Sequence, residues 1–311
     1  MAYDKVIVFG PTGNVGAIAA QTASKKGAKV YLAMRDTSKT IPTLTSTTEQ
    51  PGNYERIQAD LTQPETVVAA VQKSGAQAAF VYLVHGSPDH MQSTFRALKD
   101  GGIKHVVFLS SFTVPKDDLS SVPPSDIISY MHAQAEISLR KTFAKEELVT
   151  LRPCFFATNI LREKPGIQAR EAKLYGPQIE FDFITNEDMG EVAGNVLVDG
   201  QKEGQDVIYL IGPEVLSQKT SILTIAKVLG VHIDVTEIDA DQYVRQTVQN
   251  GIPEPIAKYL ANMMGENIAK GGKSDLIDAI QKEGAANVKK YTGRSGMKFE
   301  DWVSKNKGLF V

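Results

Sequence analysis

The chain has 311 residues, a formal net charge of −2, and 42% hydrophobic against 23% charged residues. This length allows one large domain or two average ones with a sizeable core. The near-neutral charge gives no electrostatic reason to expect a nucleic acid or a membrane surface as a partner. Cys154 is the only cysteine, so we expect neither an intrachain disulfide nor a cysteine-rich metal site. The longest apolar run, 78–84, is too short to span a bilayer, and the N-terminus shows no secretory signal, so we expect a cytosolic protein.

The first predicted element is an apolar strand over 6–9, which runs into a Gly-x-x-Gly-x-x-Gly turn and a helix over 17–26. In dinucleotide-binding folds the first glycine permits the turn, the second lets the backbone approach a pyrophosphate, and the third lets the helix pack closely. The free N–H groups and the positive dipole end of that helix then face the phosphates. The residues that we predict to contact a dinucleotide here are Gly10, Thr12, Gly13, Asn14, Val15 and Gly16.

The end of the second predicted strand, 29–34, is where such a fold selects its cofactor. An acidic residue at this position holds the ribose 2′-hydroxyl of NAD, whereas arginine binds the 2′-phosphate of NADP. Arg35 follows the strand directly, and Ser38 and Lys39 can assist it, so we predict NADP(H). Asp36, one residue later, leaves NAD as the alternative.

A loop over 40–53, predicted to lie beside the adenine, leads to a third strand over 54–59. Asp60 follows this strand and has two interpretations: a contact to the adenine amino group, or a turn residue ahead of the next helix. We predict that Thr62 caps that helix, with Glu65 completing a capping box.

The carboxyl ends of parallel strands line the ligand crevice of an open α/β sheet. Further strands are predicted over 78–84, 104–109 and 148–152, with helices over 89–100 and 127–145 between them. The residues at strand ends that we therefore expect beside the cofactor are Leu61, Leu83, Val84, His85, Ser110 and Pro153. The residues that we predict to form walls of a substrate pocket are Phe112, Phe155, Phe156 and Asn159, although an aromatic cluster there is also consistent with ordinary core.

The pattern changes after residue 153. Strands over 179–184 and 206–211 and a helix over 187–199 are followed by helices over 218–229, 240–250, 254–269 and 299–305, with a short strand over 233–238. The predicted fold is α/β, a Rossmann-type doubly wound parallel sheet with a smaller, mostly helical C-terminal substrate lobe. Its nucleotide domain covers 1–153, completed by about 179–211, and its lobe covers 154–178 and 212–311.

The chain resembles the NmrA-like branch of the atypical short-chain dehydrogenases/reductases, particularly its fungal members. The segments that carry the resemblance are 8–16, 34–36, 60–61, 109–111, 132–136, 151–153 and 298–302. The resemblance implies an NADP(H)-binding Rossmann core and a small substrate lobe. It also implies a divided family, in which reductases of quinones, imines or enones occur beside cofactor-sensing regulators and enzymes of non-redox bond formation.

Short-chain dehydrogenases pair a serine after the fifth strand with Tyr-x-x-x-Lys on the next helix, and this chain departs from that pattern. It offers Ser111 and Tyr130, but Gln134 stands at the lysine position and supplies no charge to stabilise a phenolate. We therefore expect reduction to be favoured over alcohol oxidation, with an acceptor that needs little acid assistance. His132, with an ordinary pKa near 6.5, is a second candidate proton donor on a different helix face. Gln134 can still hydrogen-bond a ribose hydroxyl.

The function that these residues favour is an NADPH-dependent reductase of a small conjugated or cationic organic substrate, which fits a role in natural-product metabolism. Two alternatives stay open. A cofactor-sensing binding protein is favoured by the missing lysine, and a non-redox cyclase would use Tyr130, His132 or a pocket acid for proton transfer. The expected partner is a small molecule, and both a monomer and a homodimer are compatible with the sequence.

Overall fold

A computed structural model describes residues 3–41, 44 and 53–311. The chain divides into two compact units. The first unit comprises 1–153, 186–210 and 287–294, and the second comprises 154–185, 211–286 and 295–311. The predicted loop over 40–53 lies almost wholly outside the described residues.

The strands of the described residues are β1 (Lys5–Phe9), β2 (Lys29–Met34), β3 (Tyr54–Gln58), β4 (Ala78–Tyr82), β5 (His105–Leu109), β6 (Leu148–Pro153), β7 (Glu171–Leu174), β8 (Glu180–Phe181), β9 (Val207–Leu210), β10 (Leu216–Ser217) and β11 (Asp234–Glu237). The α-helices are α1 (Asn14–Lys25), α2 (Pro64–Ser74), α3 (Gln92–Gly101), α4 (Ile127–Thr142), α5 (Lys164–Ala169), α6 (Asn186–Asp199), α7 (Gln218–Leu229), α8 (Ala240–Gln249), α9 (Glu254–Ala269), α10 (Asp275–Thr292) and α11 (Phe299–Lys305). Short 3₁₀ helices cover Leu119–Ser121, Lys145–Glu147, Ala157–Glu163 and Lys307–Leu309.

The first unit is built on a seven-stranded sheet in the order β3-β2-β1-β4-β5-β6-β9. Every neighbouring pair is parallel, and Ile7 of β1 lies between Tyr31 and Ala79. Parallel strands are covered on both faces, which explains why they read as continuous apolar runs. Helices α1 and α6 pack against each other, and α2, α3 and α4 form a second series. The predicted α/β class with a doubly wound parallel sheet is confirmed.

Two glycines of α6 let it approach α1 closely. A Cβ atom at Gly190 would lie 2.5 Å from Cβ of Ile18, and one at Gly194 would lie 2.5 Å from Cβ of Thr22. Both distances are shorter than van der Waals contact, so only glycine fits at these positions. Asp188 of α6 is fully buried and pairs with Nη1 of Arg294 at 2.6 Å. Late residues of the chain therefore complete this unit.

The second unit holds two small sheets and a separate aromatic core. Strand β11 pairs with β7 in parallel, and β10 pairs with β8 in the antiparallel sense. The core is closed by α11, where the rings of Phe299 and Trp302 stack with centroids 5.8 Å apart. Trp302 is only 1% exposed, so the single tryptophan of the chain is a core residue.

The predicted bounds of β2, α7, α9 and α11 agree with the structure, whereas several other predictions were wrong. Helix α2 begins at Pro64 after Gln63, so Thr62 is not its cap, and its hydroxyl instead donates to Asp60. The strand predicted over 179–184 is a strand only at Glu180–Phe181, with an isolated parallel bridge between Ile184 and Phe156. Strand β7 and helix α10 were not predicted, although the spacing of apolar residues from Ile277 to Tyr291 is helical. No helix of the described ranges is long and apolar enough to cross a membrane.

Candidate functional site

The turn between β1 and α1 uses its three glycines in different ways. Gly10 has a φ of +70°, which favours glycine, and a Cβ there would lie 2.6 Å from Cε1 of Tyr82. A Cβ at Gly16 would lie 2.4 Å from the carbonyl oxygen of Gly10, so the turn itself requires the third glycine. At Gly13 φ is −85° and the nearest atom to a Cβ would be 3.4 Å away. The fold therefore does not demand Gly13, and its missing side chain leaves open space at the N-terminus of α1.

A pocket of about 840 Å³ lies beside this turn, at the carboxyl ends of β1, β2, β3 and β4. The structure brings the following predicted cofactor residues together around it: Gly10, Thr12, Arg35, Lys39, Asp60, Leu61, Leu83, Val84 and His85. Gly13, Asn14, Val15 and Gly16 belong to the adjoining turn and the start of α1. Ser110, Gln134 and Pro153 do not line this pocket.

The acidic and the basic side chains of the pocket differ in whether they have hydrogen-bond partners. The side chains of Arg35 and Lys39 are exposed, and neither forms a hydrogen bond or a close ion pair with the described residues. Oδ1 of Asp36, in contrast, accepts hydrogen bonds from the backbone N–H of Ser38 at 2.9 Å and from its hydroxyl at 2.6 Å. These hydrogen bonds lower the pKa of Asp36. The acidic residue that would indicate NAD is therefore engaged in its own turn, while two cations face the pocket unpaired.

Two residues of this region were missed by sequence reasoning. Nη1 of Arg56 on β3 donates to the carbonyl oxygens of Thr37 and Lys39 at 2.7 and 2.8 Å, which holds the backbone of the turn after β2. Tyr82, the last residue of β4, forms a wall of the pocket and packs against Gly10. The arginine on β3, next to the turn that follows β2, was a sequence signal that could have predicted the role of Arg56. Nothing in the sequence predicted the orientation of Tyr82.

Asp60 takes part in a local turn and also lines the pocket. Its Oδ1 accepts from the backbone N–H of Thr62 at 2.9 Å and from the Thr62 hydroxyl at 2.8 Å. The Thr66 hydroxyl accepts the backbone N–H of Asp60 at 2.9 Å and donates to the carbonyl oxygen of Asp60 at 3.1 Å. The turn interpretation of Asp60 thus has direct geometric support through Oδ1, and the adenine contact stays a prediction.

A buried ion pair lies at the ends of β5 and β6. Nε and Nη2 of Arg152 donate to the two carboxylate oxygens of Glu136 at 2.9 and 2.7 Å, and both side chains are fully buried. Ser110 donates its hydroxyl to the same carboxylate at 2.6 Å. Nη1 of Arg152 also donates to the hydroxyl of Tyr209 at 3.0 Å. The hydroxyl proton of Ser110, a predicted cofactor residue, is therefore committed to Glu136.

The same arginine fixes the segment that follows β5. Nη1 of Arg152 donates to the carbonyl oxygens of Val114 and Pro115, both at 3.1 Å. Within this segment the hydroxyl oxygen of Ser111 lies 2.9 Å from that of Thr113. The N–H of Phe112 donates to the carbonyl of Pro153 at 3.1 Å. Ser111, predicted to be catalytic, thus lies in a segment whose backbone is held by hydrogen bonds from the buried guanidinium of Arg152.

Tyr130 and Gln134 lie one turn apart on α4 and are both half-buried. The ring of Tyr130 meets that of His90 edge to face with centroids 5.8 Å apart, and it packs beside Val114. Neither the Tyr130 hydroxyl nor the Gln134 amide forms a hydrogen bond within the part of the chain that the structure describes. Their catalytic roles stay predictions, but both groups are available to a ligand.

His132 does not have the properties expected of a proton donor at neutral pH. Burial, together with a smaller effect of the neighbouring His85, lowers its pKa from 6.5 to about 4. Its Nδ1 is buried with no hydrogen-bond partner among the described residues. His132 is therefore neutral at pH 7 and carries no imidazolium proton to donate.

The second unit contains its own pocket. Of the predicted substrate residues, Phe155 and Asn159 line it, Phe156 does not, and Phe112 belongs to the first unit. The apolar residues of its walls are Phe155, Ile160, Phe181, Phe183, Leu260, Met263 and Met264. Its polar residues are Asn159, Arg162, Glu163, Gln218 and Tyr243. Sequence reasoning missed Glu163, because its neighbours Arg162 and Lys164 make the segment resemble a charged surface.

A buried carboxylate sets the position of one wall of that pocket. Oδ1 of Asp182 accepts the N–H of Phe155 at 2.8 Å, and its Oδ2 accepts the N–H of Gly212 at 2.9 Å. Burial raises the pKa of Asp182 to about 6, although these hydrogen bonds oppose the shift. Phe155 is thereby held with its ring stacked on Phe181, centroids 4.0 Å apart.

Known proteins resemble this chain in sequence and in fold. The sequence profile of the NmrA-like family matches residues 2–298. The nitrogen metabolite regulation-like protein bik4 of Gibberella fujikuroi is 34% identical, over 97% of this chain and 96% of its own. Festuclavine dehydrogenase easG of Aspergillus fumigatus is 27% identical, over 74% of this chain and 75% of its own.

Among solved structures, the NADPH-dependent quinone oxidoreductase QOR2 of Escherichia coli in complex with NADPH has the same fold, with a TM-score of 0.72. It is 17% identical, and the match covers 97% of this chain and 99% of that one. The family resemblance inferred from the glycine turn, the strand ends and the segments of α4 and β6 is confirmed. With a profile match over nearly all its length and a relative 34% identical, the chain belongs to the NmrA-like family.

Proposed function

We propose that the protein is an NADPH-dependent reductase of a small conjugated or cationic organic acceptor such as a quinone, an iminium ion or an enone. The observation that carries the proposal is a pair of cations without a partner among the described residues, Arg35 and Lys39, beside a glycine turn that keeps open space at a helix N-terminus. A phosphate group satisfies both features at once. The names of easG, a dehydrogenase, and of QOR2, an NADPH-dependent reductase, support the same direction.

The residues present fit an NADPH molecule. The N–H groups at the start of α1 would bind the diphosphate, and Arg35 with Lys39 would bind the 2′-phosphate. The unpaired amide of Gln134 suits a ribose hydroxyl. When bound, NADPH supplies a hydride.

The proposed site is less well equipped to supply a proton than to bind the cofactor. Tyr130 has an uncommitted hydroxyl and is the donor that we propose, since His132 is neutral. Gln134, at the usual lysine position, adds no positive charge to assist it. Acid–base assistance is worth roughly 10²–10⁴ in rate, so an acceptor that needs little of it suits this site best.

The cofactor part is tested by Arg35→Leu. We expect NADPH affinity to fall about 10- to 100-fold, because charge-assisted hydrogen bonds to the 2′-phosphate are lost, with NADH affinity nearly unchanged. Titration calorimetry measures both affinities. Arg96→Leu, at an exposed arginine of α3, is the matched control and should change neither. Equal losses for NADPH and NADH would contradict the role of Arg35.

The reaction is tested by following NADPH oxidation with a panel of quinones, iminium ions and enones. Turnover with at least one acceptor, lowered about 10²-fold or more in Tyr130→Phe, is expected. The absence of turnover with every class would overturn the reductase proposal. Product formation without NADPH oxidation would instead indicate non-redox chemistry.

One observation favours a second function, a sensor of the NADPH/NADP ratio. Gln134 replaces the lysine that assists catalysis in short-chain dehydrogenases, and the relative bik4 is named for nitrogen metabolite regulation. A sensor must bind the oxidised and reduced cofactors with different affinities. Calorimetry with NADP and NADPH distinguishes the two functions, since equal affinities leave nothing to sense.

A further inference from the structure

The pocket of the second unit contains one carboxyl group, that of Glu163. This residue ends the 3₁₀ helix Ala157–Glu163 and directly precedes α5. Its side chain is half-buried and forms no hydrogen bond or close ion pair with the residues that the structure describes. Arg162 is exposed and acts on Glu163 only through its charge. A partly desolvated carboxylate without a donor is unfavourable, which makes it a receptor for a positive group.

The aromatic walls around Glu163 also favour a positively charged ligand. Phe155 and Phe181 stack with ring centroids 4.0 Å apart, and Phe183 meets Phe155 edge to face at 5.5 Å. Aromatic faces are negative and attract cations, by about 0.5–2 kcal/mol per contact depending on desolvation. The thioether of Met263 on α9 adds a polarisable surface that adapts to planar rings.

We propose that this pocket binds a planar organic cation, with its positive group against Glu163 and its conjugated rings against the Phe155–Phe181 pair and Met263. The inference rests on the proposed function and deepens it, because it selects the cationic class among the acceptors and assigns the residue that recognises the charge.

Titration of Glu163 gives the proposal a measurable signature. Burial raises the pKa of Glu163 to about 7, against the opposing influence of Arg162. The other titratable group that faces it is Tyr243 of α8, whose pKa is raised by burial, so it stays neutral. Helix α9 contributes Leu260, Met263 and Met264, none of which titrates. A cation favours ionised Glu163, so its binding releases a proton and strengthens as pH rises through about 7.

The experiment measures binding of N-methylquinolinium, a planar cation, and of its neutral analogue 1-methylnaphthalene by titration calorimetry without cofactor. Affinity for the cation should rise about tenfold between pH 6 and pH 8, while the neutral analogue binds equally at both. Glu163→Gln should lose about tenfold or more of the cation affinity at pH 8 and all of its pH dependence. Glu266→Gln, at an exposed glutamate of α9, is the matched control.

Equal affinity of the wild type for the two probes, or cation binding unchanged in Glu163→Gln, would overturn the proposal. The pH profile of the wild type tests the proposal even if the variant fails to fold. NADPH affinity is measured in the same preparations. Intact NADPH binding with no preference for the cation rejects the pocket assignment alone, whereas absent NADPH binding counts against the proposed reductase.

Discussion

The two units differ in the sign of the charge that they leave unpaired. In the first, the acids beside the glycine turn are engaged by neighbours, Asp36 by Ser38 and Asp60 by Thr62, whereas Arg35 has no such partner among the described residues. In the second, Glu163 has no hydrogen-bond donor among those residues. We propose that these groups bind ligands of opposite charge, an anionic phosphate at Arg35 and a cation at Glu163.

A second contrast concerns the titratable groups that each unit buries. The first unit buries His105 and His132 as neutral bases, with pKa values lowered to about 4 by burial. The second buries Asp182 and Glu163, with pKa values raised to about 6 and about 7 by burial. The two units should therefore respond to acid in opposite directions.

The largest loss of stability is expected from a variant that removes the partner of a buried acid in the first unit. Arg152→Met leaves Glu136 buried without its main partner, and we expect the free energy of unfolding to fall by about 3–5 kcal/mol. Denaturant unfolding measures this loss. Lys227→Met, which breaks the exposed pair with Glu300, is the control and should cost at most about 1 kcal/mol. If the free energy of unfolding fell by similar amounts in both variants, burial of the Arg152–Glu136 pair would not explain its contribution to stability.

A smaller effect is expected from lowering the pH from 7 to 5. The unfolded chain then protonates His105 and the folded first unit does not, so His105 alone lowers the stability of this unit by about 2 kcal/mol. Asp182 is protonated in the folded second unit but not in the unfolded chain, so Asp182 alone raises the stability of that unit by about 1 kcal/mol. Hydrogen exchange, corrected for intrinsic rates, would follow β5 for the first unit and 181–184 for the second.

His105→Gln, which keeps a donor for the carbonyl of Val196, should remove the share of the acid sensitivity that His105 contributes. If protection falls together in both segments, the two units unfold as one and the contrast does not extend to stability.

At Gly13 we expect a substitution to lower NADPH affinity while leaving stability nearly unchanged. Gly13→Ala should leave the free energy of unfolding within about 0.5 kcal/mol, because the protein has room for the added Cβ. NADPH affinity should nevertheless fall about tenfold or more, since the methyl group occupies the approach to the helix N-terminus. Gly308→Ala, at an open position of the second unit, should change neither quantity. A Gly13→Ala protein with normal NADPH affinity would place the phosphates elsewhere.

The smallest effect is expected at Asp36. Asp36→Asn keeps an oxygen that accepts from Ser38, so NADPH and NADH affinities should each change by no more than about threefold. Calorimetry with both cofactors checks this. A selective loss of NADH affinity would assign Asp36 to the ribose after all and weaken the contrast of charges.

The first unit could be predicted well because its signals are local. The run Val6 to Phe9, the glycine turn and Arg35 determine strand, helix start and charge within thirty residues of one another. The second unit depends on distant contacts. Glu163 is polar among polar neighbours in the sequence, and it enters a pocket only because α8 and α9, about 80 to 100 residues later, supply Tyr243 and Met263. The capping residue of α2 was mispredicted because the Thr62 hydroxyl has a nearer acceptor in Asp60.

The discontinuity of the first unit has a consequence for synthesis on the ribosome. Strand β9 completes the sheet beside β6, and Arg294 supplies the partner of buried Asp188. A nascent chain that ends at residue 153 would present β6 as an open edge and the small apolar face of α1 to solvent. Such exposed edges and faces are sites of aggregation and of chaperone binding. The first half of the sequence, although it is translated first, can therefore complete its fold only after residue 294 has been made.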